Sequence, residues 1–160
     1  MKKLIFFFAF FVAIVVGYAY YQNNPALSKF TSLLPLHMSG PTATINSQRF
    51  SLMIAKTQEQ KEKGLAVANS LGQNVGMFFP FDHPDYYAFW MKDMKFSIDI
   101  IYVKNNHIVT IYPNMQPAKD ETTTWQIVRP TLPSDAVIEI NAGLSQKYHF
   151  KVGDVIQLAL

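Results

Sequence analysis

The stretch "AFWMKDMKFSIDIIYV", residues 88–103, sets Lys92, Asp93, Lys95 and Asp99 inside an otherwise apolar and aromatic run. Three of its residue types could do chemistry. Trp90 offers an indole face that can stack a sugar or an apolar ligand. Lys92 offers a cation, and Asp99 a carboxylate able to accept hydrogen bonds or move a proton. On a strand, Phe96, Ile98, Ile100 and Tyr102 share one face while Lys95, Ser97, Asp99, Ile101 and Val103 share the other. The first face is core. The second passes from polar to apolar at Asp99, so this carboxylate needs a partner. Lys92, Arg129 and backbone amides are available. Fixing a turn or a neighbouring strand is the favoured reading of Asp99, and a binding or catalytic role is the competing one. Trp90, flanked by Phe89 and Met91, is read first as a core aromatic and second as a ligand platform.

Other chemistries find less support. The chain has no cysteine, which excludes disulfides, thiolate nucleophiles and thiolate metal sites. His37, His83, His107 and His149 show no close ligand spacing, so no metal and no cofactor is expected. No serine sits in a Gly-x-Ser-x-Gly elbow, and no glycine-rich phosphate loop follows a strand. A carboxylate pair for glycoside hydrolysis could be drawn from Asp93, Asp99, Glu139 and Asp154. Glu139 alternates with apolar neighbours in "AVIEI" and is read as facing water, while Asp154 after Gly153 reads as a turn residue. Setting aside Lys2 and Lys3 leaves 12 basic against 11 acidic side chains, a net of +1, which gives no reason to expect a nucleic-acid partner.

The elements that must hold these residues are mostly strands. "ATINSQRFSLMIA" holds two β-prone runs around Asn46-Ser47, and "QEQKEK" reads as one short solvated helix, capped by Thr57 with Gln60 and stopped at a left-handed Gly64. Strands follow in "VGMFF", "YYAFWM", "FSIDIIYV", "IVTIY", "TTTWQIV", "AVIEI" and "VIQLAL", with a connecting loop at 80–85 and an Asn105-Asn106 hairpin turn. Their spacing predicts a mainly β fold over 42–160, a single antiparallel β-sandwich or barrel-like domain with one short helix.

Before it, residues 1–21 open with two lysines and continue uncharged from Leu4 to Tyr21, roughly 27 Å as a helix. A retained membrane anchor is favoured over a cleaved signal peptide, and residues 22–41 read as a linker. Either way the domain is expected outside the cytoplasm. It is membrane-anchored through 4–21 if the helix is kept, and secreted or periplasmic if it is removed.

The combination of "GMFFPF", "FWMKDMKFSIDIIYV", "AGL" and "KVGDVI" resembles the family catalogued as domain of unknown function 192, over roughly 43–160. The resemblance implies a small all-β domain, often exported, with no established activity. It also implies that Gly64-Leu65, Gly76-Met77, Trp90, Met91, Lys92, Asp99, Gly143 and Gly153-Asp154 are family positions. The chain departs at Ala66, Asp93 and Ser97, where Met, Asn and Pro are usual. Two functions are carried forward. One is a non-catalytic, membrane-tethered module of the cell envelope that binds a small ligand or envelope component through Trp90, Lys92 and Asp99. The other is a cell-envelope hydrolase using Asp99 with Lys92.

Overall fold

Asn46 and Ser47 adopt positive φ, 47° and 67°, and reverse the chain between strands β1 (Thr42–Ile45) and β2 (Gln48–Ile54). Paired positive φ values match the twist of an antiparallel hairpin, which is why a polar Asn-Ser pair stands there. The computed structural model describes residues 40–118 and 126–160. The expected anchor, 1–21, and nearly all of the expected linker, 22–41, lie outside the described residues. No helix among the described residues is long and apolar enough to cross a membrane.

After β2 the chain forms helix α1 (Gln58–Lys63) and a 3-10 turn over Gly64–Val67, then strand β3 (Val75–Asp85). Strands β4 (Phe89–Trp90), β5 (Ile98–Lys104), β6 (His107–Met115), β7 (Ile127–Val128) and β8 (Ser134–Asn141) follow. Helix α2 (Leu144–Lys147) and strand β9 (Ile156–Ala159) end the chain. Seven strands make one sheet in the order β6-β5-β8-β3-β2-β1-β9, and β4 and β7 form a separate two-stranded ribbon.

The expectation of an antiparallel fold is corrected at one pair. Strands β2 and β3 run parallel, Ser51 opposite Val75 to Ile54 opposite Phe78. A parallel pair needs a crossover longer than a hairpin, and α1 with its 3-10 turn supplies it. The sheet also curls until its edges touch. Gly153 N–H donates to Ile108 O at 2.8 Å, Ile108 N–H to Asp154 O at 3.0 Å, and Ile156 N–H to Asn106 O at 2.8 Å. Of the two expected arrangements, the curled sheet is the barrel-like one.

Both faces of the central strands are buried. Inside the curl, Ile45, Phe50, Ile101, Val103, Ile138 and Ile140 pack together. On the outer face Leu65, Phe79, Met91, Ile100, Tyr102 and Val137 form a second cluster. A partly wet second face for β5 was expected, and burial on both sides replaces it from Ile98 to Val103. Two further boundaries move. Residues 80–85, expected as a loop, stay extended within β3, but the register with β8 breaks between Pro80 and Asp85, where Pro80 and Pro84 supply no N–H. "YYAFWM" contributes only Phe89–Trp90, and of "TTTWQIV" residues 122–125 lie outside the described residues.

Candidate functional site

The register of the sheet places Glu139 opposite Met77 on β3 and opposite Ile100 on β5, on the outer face. An alternating pattern thus carries a carboxyl into a row of apolar side chains. Glu139 is 5% exposed, so the expectation that it faces water is corrected. Its Oε2 is buried without a hydrogen-bond partner. Burial, which disfavours the charged form, pushes the carboxyl up to about 8.

Above Glu139 lies the end of α1. The helix starts as the sequence predicts: Gln60 N–H donates to Thr57 Oγ1 at 3.2 Å, and Thr57 N–H donates to Gln60 Oε1 at 3.0 Å. It stops at Gly64, whose φ of 46° with ψ of −137° differs from the expected left-handed cap and turns the chain directly into the 3-10 segment. A Cβ on Gly64 would lie 3.5 Å from Phe79 Cζ and 3.8 Å from Glu139 Oε2. Glycine therefore keeps the space over the carboxyl open.

That space continues into a cavity of about 350 Å³ between α1, the outer part of β3 and the β4–β7 ribbon. Aromatic rings make its walls. Phe79 meets Phe89 edge-to-face at 5.0 Å, and Phe81 stacks on Tyr87 at 3.6 Å. The Lys61 ammonium lies 4.7 Å from the centre of the Phe81 ring. The ribbon is anchored from below by Tyr102, whose hydroxyl lies within donor reach of Val128 O (3.0 Å) and Tyr87 O (3.2 Å). Tyr112 donates to Arg129 O at 2.7 Å.

The residues singled out from sequence separate into two places. Trp90, opposite Ile127 in the ribbon, is 44% exposed and lines the cavity, while its neighbour Met91 takes the buried position. Lys92 is exposed on the same cavity wall. Asp99 lies elsewhere, fully buried at the start of β5. Its Oδ1 accepts from Asn114 N–H (2.8 Å) and Gly143 N–H (2.9 Å), and its Oδ2 from Ser145 N–H and Ser145 Oγ–H, both 2.7 Å. These bonds hold the turn from β8 into α2, where Gly143 takes φ 81°, and tie it to β6 at Asn114, φ 53°. Backbone amides are thus its partners. Among the described residues no group of three His, Cys, Asp or Glu side chains could hold a metal ion.

Sequence reasoning named Glu139 as one of four carboxylates for a pair but turned it toward water, named Gly64 as a helix stop and a family position without a place in a site, and passed over the Phe81–Tyr87 pair. The available signal was that "AVIEI" is bounded by apolar residues on both faces of a central strand, a setting in which an isolated glutamate is buried.

Comparison with known proteins agrees with this architecture. The model of the domain of unknown function 192 family, described as "Uncharacterized ACR, COG1430", matches residues 41–158. The chain belongs to that family. No curated protein matches it. A solved structure from Novosphingobium aromaticivorans, described as a protein of unknown function, is 31% identical with a TM-score of 0.65, over 73% of this chain and 82% of its own. Another, from Sinorhizobium meliloti and named as a candidate transcription regulator, is 24% identical with a TM-score of 0.65, over 74% of this chain and 92% of its own. That second likeness shows the fold alone.

Several positions implied by the family resemblance have backbone reasons in this chain. Gly64, Gly143 and Gly153 take positive φ. A Cβ on Gly76 would come within 2.9 Å of Glu139 O, so β3 can approach β8 only with glycine there.

Proposed function

We propose that the domain is a non-catalytic module of the cell envelope that binds a small ligand in the cavity bordered by Trp90, Lys92 and α1. The observation that carries this reading is Glu139, a buried carboxyl with an unpartnered oxygen at the foot of an aromatic-walled cavity. Buried polar atoms are almost always hydrogen-bonded, and one left unpartnered in a residue that lines a cavity is suited to a ligand's donor or acceptor. Asp99 supports the binding site indirectly, as a positioning residue for the end of the sheet. The tether, through residues 4–21, is supported by the two lysines and the uncharged run behind them.

The test is a fragment mixture screened by saturation-transfer NMR against the full chain in a polyoxyethylene detergent. Binders are expected that lose affinity in both Trp90→Ala and Glu139→Ala. Binders indifferent to both substitutions, or no binders at all, would remove the reading.

One observation favours a second reading. A carboxyl kept protonated near neutral pH by an apolar setting has the property of a general acid, so a hydrolase would use Glu139 rather than Asp99 with Lys92. Turnover of chromogenic glycosides or esters, abolished in Glu139→Gln, would replace binding by catalysis.

A further inference from the structure

We infer that the ligand of this cavity is a neutral sugar ring, stacked on Trp90 and hydrogen-bonded at its hydroxyl groups by the Glu139 carboxyl. The inference rests on the reading of the cavity as a ligand site, and it adds the ligand's chemical class.

Charge is the first discriminator. Lys61, Glu62 and Lys63 face the cavity from α1, Asp82 and His83 from β3, and Tyr87 and Lys92 from the chain around β4. Strand β5 brings Tyr102 close to Glu139, with its hydroxyl already engaged by main-chain carbonyls. The rim thus interleaves three lysines with two acids, and Lys63 is turned to Glu59 at 2.7 Å. The floor adds no charge near neutral pH, because burial holds the Glu139 proton up to about 8. A cation at the floor would require that proton to leave and would meet Lys61 and Lys92 on the way in. An anion would meet Glu62 and Asp82, then an apolar floor with no positive group. A protonated carboxyl both donates and accepts, which is the complement of a hydroxyl or an amide.

The free ring faces are the second discriminator. Phe81 is stacked on Tyr87 and carries Lys61, while Phe79 and Phe89 engage each other edge-to-face. Trp90 enters none of the ring contacts among the described residues and is 44% exposed. An indole at a cavity mouth offers a flat apolar platform for the C–H face of a sugar, with the ring's hydroxyls left at its edge for polar partners. The missing side chain at Gly64 leaves the carboxyl uncrowded on the side of α1, where a Cβ would stand 3.8 Å from the buried Glu139 Oε2. At about 350 Å³ the cavity has the size of a small-ligand site.

The test is equilibrium dialysis of the full chain in polyoxyethylene detergent against glucose, galactose, N-acetylglucosamine and chitotetraose. Glucosamine and choline serve as cationic probes and glucuronate as the anionic one. At least one neutral sugar is expected to bind about tenfold or more tighter than its charged counterpart. Trp90→Ala should weaken it roughly three- to tenfold. Between pH 7 and pH 9 binding should weaken about tenfold as Glu139 loses its proton. Glu139→Gln, which keeps a donor and an acceptor, should retain affinity and lose that pH dependence, and His83→Asn should leave it in place.

Preferential binding of a charged probe, lost in Glu139→Ala, would overturn the sugar assignment and leave the cavity as a ligand site. The sugar assignment also falls, with the ligand site intact, if fragments bind at Glu139 and no sugar does. If neither fragments nor any of these probes bind, both readings fall together.

Discussion

A carboxyl between Met77 and Ile100 makes stability depend on pH in a direction opposite to that of most acidic residues. Its ionisation in the fold is held up to about 8, against 4.5 for an ordinary glutamate, so between those values the native state holds a proton that the unfolded chain releases. The contribution is fully present below pH 4.5 and falls away as pH rises toward 8, by on the order of 4 kcal/mol. Glu139→Gln should therefore match the parent near pH 4.5 and exceed it in melting temperature at pH 8.5, a difference that paired calorimetric scans measure directly. Parallel profiles would mean that water reaches the carboxyl. Asp99 is constrained by hydrogen bonding. Four N–H and O–H donors point at its two oxygens, so an amide in its place would aim its own hydrogens at one pair of them. Asp99→Asn should cost about 2 to 4 kcal/mol, read as a lower urea midpoint with an unchanged slope. An unaltered midpoint would show that the turn into α2 does not depend on it.

At the scale of elements, the cavity exists because a short helix is held over the sheet, and that helix has no buried residue of its own. What fixes it is the reciprocal cap of Thr57 and Gln60 at one end and the buried Leu65 of the 3-10 turn at the other. Thr57→Ala should lower stability by about 1 kcal/mol and loosen the wall that carries Lys61 and Glu62. Faster amide hydrogen exchange over 58–63, with the sheet unaffected, is the expected signature. The cap was readable in sequence because its rule is local: a threonine, a glutamine three residues on, and a glycine at the end. The hairpins at Asn46-Ser47 and Asn105-Asn106 were readable for the same reason. The parallel pairing of β2 with β3 was not, since nothing local states which strand lies beside which. The same gap hid Glu139. Its burial depends on β5 and β8 being covered on both faces, and the cover comes from a ribbon and a crossover distant in the chain. Asp99 was readable as a carboxylate that fixes a turn or a neighbouring strand, with backbone amides among its possible partners, but not which amides. Its amide donors come from residues 114, 143 and 145, brought together by strand order.

For the whole molecule, the described domain and the first 21 residues pose separate physical problems. The domain satisfies its own sheet edges, because the chain entering β9 meets β6 through three backbone hydrogen bonds and leaves little open edge there for pairing with another chain. Nothing in that closure calls for a membrane. The proposed tether rests on the run from Leu4 to Tyr21 alone, whose uncharged length matches a bilayer core and which two lysines precede. If the run is a retained anchor, the full chain should sediment with membranes, resist extraction by high salt and alkaline carbonate, and dissolve only with detergent. An alkaline phosphatase fusion at the C-terminus should be active, which requires export of everything after residue 21. A cleaved signal gives a different pair of results: the same active fusion, but a soluble mature chain whose mass begins near Tyr20. An inactive fusion would defeat both, and would place the cavity of Glu139 among cytoplasmic ligands rather than envelope glycans. Sugar binding by the chain would then persist in the dialysis experiment while its connection to the envelope would be lost, so the two results separate what the cavity recognises from where it meets it.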